Sequence, residues 1–597
     1  MRQRKPRLPF WKLRCKTRLV GGKTAGVALC VTPADSKPKT RNTKHKNCMN
    51  PTPEQIRAIE TRHPAILAIA GPGSGKTATL IERIVCLVED GEEDPAKMIV
   101  ITFTNAAARE LRERIEARAP GTKLNFIGTL HAFALRELQN HGHAIGFGKR
   151  ITILDAEQSR EAMEQAAKSA GYRGKLEAVE ELRRETQPIK ASPASLTLSQ
   201  YLRTLKQSGC VDFETLLTEF YALARHGYRN PWKHLFVDEY QDASELDSTI
   251  YAAINSENRF FVGDPDQAIY GFRGGSVSGI LDKAEPESGW FVIVMSDNFR
   301  SGRNICDFAN RLIACNAARV EKQTVARAGM GEVTVKEFKD PHGEAGSLLD
   351  EIEAAIRSGQ TIRELAVLTR GNALAAELAE LAAARGIPVR KRQKAEVPRD
   401  WALCKAAVAL LNSPHSIHAA RRFISIEQGP LAAAAAVADM AKAQKVSLAG
   451  SIPDLATDAT AGTLAQSLAR LRIEPAAIEK VQSIAASLND PDISAIELAI
   501  NAEPEESEAG DGVTFATMHG SKGREWDRVW VAGFEQESIP GTAKTRHVDE
   551  ERRLAFVAFT RARHYLAISF ARTRRLTWGK KAFAPTNRSQ FIAEAIG

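Results

Sequence analysis

Long apolar runs are missing: no stretch of about 18 or more apolar residues occurs in the 597-residue sequence, which excludes an ordinary membrane-spanning helix. The N-terminus also lacks the apolar core of a secretory signal, so a cytoplasmic address with no membrane partner is expected. Paired cysteines are missing too. The eight cysteines, at 15, 30, 48, 86, 210, 306, 315 and 404, form no C-x-x-C pair, so neither a zinc site nor a disulfide framework is indicated and reduced thiols are expected. Acid is nearly absent from the first fifty residues, where Asp35 stands alone against 14 Lys and Arg. The remainder holds 68 basic and 71 acidic residues. The formal net charge of +10 is therefore a property of the N-terminal stretch, and the rest of the chain must meet a polyanion through local patches. Residues 1–48 read as a basic disordered arm that adds phosphate affinity, as a solvated leader, or as a stretch preceding a true start at Met49.

What is present is an ordinary folding composition, 43% hydrophobic and 26% charged, in a chain long enough for three or four domains. No internal repeat or extended low-complexity segment occurs outside the leader. Residues 65–70 (AILAIA) are short and apolar, as a buried parallel strand requires, and run into Gly71-Pro72-Gly73-Ser74-Gly75-Lys76-Thr77. This is a P-loop with Ala70 in place of its first glycine. The glycines let successive backbone N–H groups face a β-phosphate, and the helix beginning near Lys76 adds its positive end. Lys76 is expected to reach β and γ oxygens, and the Thr77 hydroxyl to ligate Mg²⁺.

A second apolar strand, residues 235–237 (LFV), ends in Asp238-Glu239-Tyr240-Gln241-Asp242. An isolated Asp-Glu pair is ordinarily a solvated surface pair. At the carboxyl edge of a sheet in a P-loop protein, Asp238 instead suits an anchor for Mg²⁺ and Glu239 a base that polarises attacking water. A third strand, residues 259–262 (RFFV), opens into Gly263-Asp264-Pro265-Asp266-Gln267, where the Gln267 amide at a strand tip is placed to sense a γ-phosphate.

Nine segments occur in the order known for one family: TPEQ at 52–55, AGPGSGKT at 70–77, ITFTNAAARELRERI at 101–115, GTLHAF at 128–133, VDEYQD at 237–242, VGDPDQAIYGFRGG at 262–275, DNFRS at 297–301, TFATMHGSKGREWD at 514–527 and EERRLAFVAFTRAR at 550–563. From about residue 50 onward the chain resembles the superfamily 1A DNA helicases of the UvrD/PcrA/Rep type. The resemblance implies that Gln55 reads the adenine edge, that Phe299 stacks on the base, that Glu525 contacts the ribose, and that Arg300 and Arg561 are arginine fingers meeting the γ-phosphate from a second lobe. It also implies that Phe103, Tyr270 and Phe272 line a single-strand track, with Thr104, Thr129, His131 and His519 on the backbone and Trp578 extending the track. Stacking on rings tolerates any base and is worth on the order of 1–3 kcal/mol per base, although core packing is the ordinary fate of such aromatics. Phe272 stands where a tryptophan is commoner, and Asp247 where glutamine is frequent.

The implied architecture is α/β, with two RecA-like parallel-sheet P-loop lobes and two mainly helical inserts. Residues 49–125 and 221–297 would form the first lobe and 126–220 its insert (1B). Residues 298–395 and 506–597 would form the second lobe and 396–505 its insert (2B). Helical patterning over 157–170 and 176–185 supports the first insert, and an alanine-rich run at 431–437 the second. The second insert reads as shortened, and the Gly-Ile-Gly turn that relatives present to duplex is replaced by Gln428-Gly429-Pro430. Little sequence follows the segment 587–591, so the long partner-binding tail of some relatives is not expected. ATP and Mg²⁺ are the expected cofactors, and single-stranded DNA and single/double-strand junctions the expected partners. Protein partners are unspecified. The implied activity is ATP-driven 3′→5′ movement on DNA with unwinding, in repair, recombination or replication. The alternative is a translocase or ATP-gated clamp that displaces proteins with little unwinding.

Overall fold

The computed structural model describes residues 51–597 apart from 90, 92, 149–150, 155, 184–189, 229–231, 272–273, 395–398, 413–421, 427–462, 472, 487–492, 503–505, 542–546 and 575–583. Two large sheets dominate. The first has six strands, all parallel, in the edge-to-edge order Phe126–Thr129, Met98–Thr102, His234–Val237, Asn258–Gly263, Ala65–Ala70 and Phe291–Met295. Its strands are apolar on both faces because both are covered. Along the strand Ala65–Ala70, Leu67 and Ile69 join one core while Ile66, Ala68 and Ala70 join the other, following the two-residue period of a strand. The strand Phe126–Thr129, which the sequence reading assigned to the first insert, is the edge strand of this sheet, in register with Ile99–Thr102. Four residues that include a glycine are too short to show a period, so only pairing with the neighbour reveals the strand.

The second sheet has seven strands in the order Glu332–Phe338, Ala562–Ala571, Trp526–Val531, Leu365–Thr369, Val513–Thr517, Val389–Lys394 and Glu506–Ala509. Only the last pairing is antiparallel. The same two-faced burial recurs: Ala366 and Leu368 face one core, Leu365 and Val367 the other. Two parallel-sheet α/β lobes are therefore present, as expected.

The first insert is helical, with Ala156–Ser169, Glu177–Leu182 and Pro193–Gln207 around a short parallel pair, Thr152–Leu154 with Cys210–Asp212. The helices Leu130–His141 and Phe213–Arg225 bind it to the first lobe, since Phe133, Leu216 and Phe220 share a core with Leu67 and Ile99. The second insert contributes Arg399–Asn412, Leu464–Arg470, Pro475–Ala486 and Ile493–Ala502, packed around Cys404, Leu468, Val481 and Ile496. It rests on the first insert. The Asn412 side-chain amide donates to the Ile151 carbonyl at 2.9 Å and to the Glu497 carboxylate at 2.7 Å, and Leu498 enters the core that the first insert shares with the first lobe. The alanine-rich run 431–437 and Gln428-Gly429-Pro430 lie outside the described residues.

Among the described residues no helix is long and apolar enough to cross a membrane. No group of three or more His, Cys, Asp and Glu suited to a metal ion occurs among them either. Cysteines 86, 210, 306, 315 and 404 are all free.

Candidate active site between the lobes

Three strand tips of the first lobe converge. The P-loop follows Ala65–Ala70, and its backbone turns left-handed at Gly73 (φ +64°) and Gly75 (φ +76°), a conformation that favours glycine. Gly73 is constrained from outside as well. A Cβ there would lie 2.7 Å from the Arg300 Cβ and 2.8 Å from the Asn298 side-chain oxygen, both of the segment leading into the second lobe. The Ser74 hydroxyl donates to the Gly71 carbonyl at 2.8 Å, which tightens the loop. Ala70 ends the strand and Pro72 follows Gly71 in the turn. Lys76 opens the helix Lys76–Glu89 and its ammonium reaches back to the Ala70 carbonyl at 3.5 Å. Gln55 is buried beside the loop: its carbonyl accepts from Thr52 in a capping box and its amide donates to the Ser74 carbonyl at 3.0 Å.

The strand His234–Val237 delivers the acids. Asp238 accepts from the Thr77 hydroxyl at 3.5 Å, so a hydroxyl and a carboxylate, both hard oxygen donors, sit side by side. Burial, and next the charge of Glu239, push Asp238 up to about 7 against the pull of Lys76. A buried acid held this way would be relieved by a divalent cation, so Thr77 and Asp238 are residues that could hold Mg²⁺. Glu239 is the one non-glycine described residue with positive φ, +51°, a local cost of about 1–3 kcal/mol that marks a position fixed by its surroundings. Burial would raise its carboxyl, but Lys76 and then Lys522 outweigh it and hold Glu239 below the usual range. The Gln241 side chain donates to Glu239 and accepts from the Asp264 backbone N–H at 2.9 Å, joining the second strand tip to the third.

At the third tip, the Gln267 amide donates to Asp264 at 2.6 Å and its carbonyl faces Arg561 of the second lobe at 3.4 Å. Arg561 is only 2% exposed, and its guanidinium also donates to the Val557 and Arg524 carbonyls. Burial, then the neighbouring Arg300 charge, lower it to about 9, which leaves it charged at neutral pH. Arg300 donates to Glu525, which also accepts from Arg563 at 2.8 Å. Burial alone would raise the Glu525 carboxyl, but these two arginines pull it below the usual range. The Phe299 backbone donates to the Gly73 carbonyl at 2.9 Å, and its ring is half exposed beside the P-loop. Lys76, Glu239, Arg300 and Arg561 thus share one crevice.

A second surface lies behind the acids. A cavity of about 600 Å³ is lined by Phe103, Thr104, Thr129, His131, Asp247 and Tyr251, with Asp238 and Glu239 at its floor. Phe103, 44% exposed, stacks on Tyr270 with centroids 5.6 Å apart and planes 10° from parallel. Thr104 and Thr129 cap the helices Asn105–Arg118 and Leu130–His141, so each hydroxyl accepts from the helix and keeps its own proton to donate. Burial lowers the His131 imidazole against the charge of Asp247, which disfavours its charged form. Asp247 itself closes the cap of Glu245–Ala253 with Ser244. His519 begins the short helical turn His519–Ser521 in the second lobe. Phe272 and Trp578 lie outside the described residues.

Residue reading alone missed the groups that tie these parts together. Lys522 donates to both Asp242 oxygens at 2.6 Å and to the backbone carbonyl of Gln267 at 3.1 Å, with its ammonium 4.7 Å from the Tyr270 ring centroid. Burial raises Asp242 to about 6 against this lysine. The only signal was that Asp242 and Lys522 both fall inside quoted motifs. Lys322 and Arg319, which bind Asp264 and Asp266, fall in none.

Comparison with known proteins agrees with this geometry. The family model described as the UvrD/REP helicase N-terminal domain matches residues 51–287, and that of the UvrD-like helicase C-terminal domain matches 293–414 and 465–573. The interval left between the two C-terminal matches falls in the second insert. The chain is 28% identical to ATP-dependent DNA helicase UvrD1 of Mycobacterium leprae, over 93% of this chain and 86% of that protein. It is 29% identical to ATP-dependent DNA helicase PcrA of Leuconostoc citreum, over 91% and 84%, and 25% identical to PcrA of Staphylococcus epidermidis, over 91% and 86%. With both halves matched and the motif residues meeting across one cleft, the chain belongs to the UvrD/PcrA-like helicases.

Proposed function

We propose that this chain is a cytoplasmic DNA-dependent ATPase that moves 3′→5′ on single-stranded DNA and unwinds duplex at single/double-strand junctions, in DNA repair, recombination or replication. The observation that carries it is the shared crevice, with Lys76 and Glu239 on one lobe and Arg300 and Arg561 on the other. Relatives named ATP-dependent DNA helicase support the substrate and the polymer. The direction rests on the family resemblance.

ATP is held by the P-loop amides and Lys76, with the base against Phe299 and the ribose toward Glu525. Thr77 and Asp238 would hold a Mg²⁺ ion, which would supply charge neutralisation for the phosphates. Glu239, kept ionised by two lysines, takes the proton of the attacking water. Gln267 faces the γ-phosphate from the first lobe, while Arg300 and Arg561 meet it only when the lobes are together, so nucleotide binding favours the closed state by its differential contacts. Hydrolysis removes them. Phe103 and Tyr270 stand at the tips beside the acids, so each closure shifts the rings that grip bases and becomes a step along the strand.

A second reading is a translocase or clamp that displaces proteins with little unwinding. The observation favouring it is the second insert's seat on the first through Asn412 and Leu498, which leaves less surface for duplex. ATPase assays with and without single-stranded DNA, followed by unwinding of duplexes with 3′ or 5′ overhangs beside a protein-displacement assay, separate the readings. Turnover indifferent to DNA removes both.

A further inference from the structure

After the helix Arg303–Ala314 the chain runs along the boundary between the lobes. Asn316 and Ala318 are hydrogen-bonded to Asp549, Arg552 and Arg553 of the second lobe and Thr324 to Asn310, while the residues between them turn to the first lobe. Val320 enters the first lobe's core beside the strand that carries the P-loop. Two residues on, the Lys322 side chain is 2% exposed and its ammonium donates to Asp264 at 2.7 Å and to Asp266. Arg319 holds the same Asp266 in a fork at 2.9 and 3.3 Å. The other oxygen of Asp264 accepts from the Gln267 amide at 2.6 Å, and the Gln267 carbonyl faces Arg561. A continuous line of polar contacts therefore runs Lys322, Asp264, Gln267, Arg561.

Two physical facts give this line a task. A buried carboxylate without a cation near it is costly and repels a triphosphate. Gln267 is also ambivalent, since its carbonyl suits an arginine and only its NH₂ suits a phosphate oxygen. Asp264 competes for that NH₂, and its strength as an acceptor depends on how far its charge is already satisfied. Burial would raise Asp264, yet Lys322 and then Lys76 hold it ionised. A buried lysine ion pair delivered by a strap from the other lobe thus decides how firmly the sensor amide is held.

We propose that Lys322, with Arg319, is a positioning residue for γ-phosphate sensing: by neutralising Asp264 it sets the amide of Gln267 and lets that amide turn to the nucleotide. This rests on the functional reading above and names a residue that the reading does not use. The role is exerted on the chemical step, so binding of ATP is spared.

The test is steady-state ATPase of the full chain with saturating single-stranded DNA, in a cycle of Lys322→Met, Gln267→Ala and the double variant. Lys322→Met is expected to lower kcat by about tenfold with KM for ATP within about threefold, and to add nothing further once Gln267 is alanine, because residues acting as a unit are not additive. Lys322→Arg is expected to restore most of kcat. If Lys322→Met fails to fold, Lys322→Met/Asp264→Asn replaces it: with no charge left at 264 for the lysine to neutralise, kcat is expected to match that of Asp264→Asn alone, and a further loss of about tenfold would overturn the role. Multiplying losses, or a Lys322→Met chain with wild-type kcat, would overturn the positioning role while the wild-type chain still hydrolyses ATP. A wild-type chain without DNA-stimulated turnover would overturn the functional reading, and the proposal with it.

Discussion

The two lobes bring different kinds of group to the cleft. Those of the first lobe sit at strand tips, where backbone geometry places them: a lysine at a helix start, two acids after one strand, an amide after another. Those of the second lobe are cations already engaged at home, Arg300 by Glu525 and Arg561 by two carbonyls. On the function proposed above, the difference assigns binding and reaction to the first lobe and to the second the presentation of charge whose orientation is already set by its own contacts, the arrangement that costs least reorganisation during reaction.

Substitutions can break this contrast in order of size. Lys76→Ala should abolish turnover, a loss on the order of 10³-fold or more, and undiminished ATPase would discard the site. Glu239→Gln should slow hydrolysis by about 10²–10⁴-fold while leaving ATP and DNA binding intact, which equilibrium binding beside single-turnover kinetics will read. A second-lobe change, Arg561→Lys, keeps the charge and loses the planar fork. It should cost about 10²-fold in kcat with little change in ATP affinity, and equal losses in both would make Arg561 a ground-state ligand. Phe103→Ala should weaken single-strand binding by on the order of 1–3 kcal/mol and barely move DNA-free ATPase; anisotropy titrations with labelled oligonucleotide will show it.

The smallest effect concerns the inserts. Glu497 is buried where the second insert meets the first, and burial raises it from 4.5 to about 8 against Asn412 and Arg422. A carboxyl whose folded pKa is raised gives stability that is complete below its unfolded pKa and is lost as pH rises through the folded one. The seat of the second insert should therefore loosen between about pH 5 and 8. Glu497→Gln should flatten that profile, by about 2–4 °C of thermal midpoint per kcal/mol recovered. An unchanged pH slope in the variant would show that Glu497 does not govern the contact.

The first lobe's half of the site was largely legible because its chemistry follows short apolar strands, a local pattern. The same holds for the helix Ala156–Ser169, which periodicity had placed within a residue of its ends. The second lobe's groups were legible only through motif resemblance, since Arg561 stands among Arg552, Arg553 and Arg563 and nothing local separates it. Its partner does: Arg552 and Arg553 are buried too but bond to Glu594 and the Ala318 carbonyl, whereas Arg561 faces Gln267 of the first lobe, and such a partner is distant in sequence. The strand Val389–Lys394 (VRKRQK) has no apolar alternation, because it pairs with Val513 and Glu506–Ala509 more than a hundred residues away. Lys322 carried no pattern at all and Lys522 only its place in a motif, because a lone lysine becomes meaningful only when the fold sets an aspartate against it.

Gly73 has a consequence for how variants are read. The added methyl of an alanine there would strike Arg300 and Asn298 before it met any phosphate. Such a protein would be wedged ajar as well as strained in its loop, so inactivity at this position would speak of two surfaces that no longer mate as much as of the loop's own grip on nucleotide.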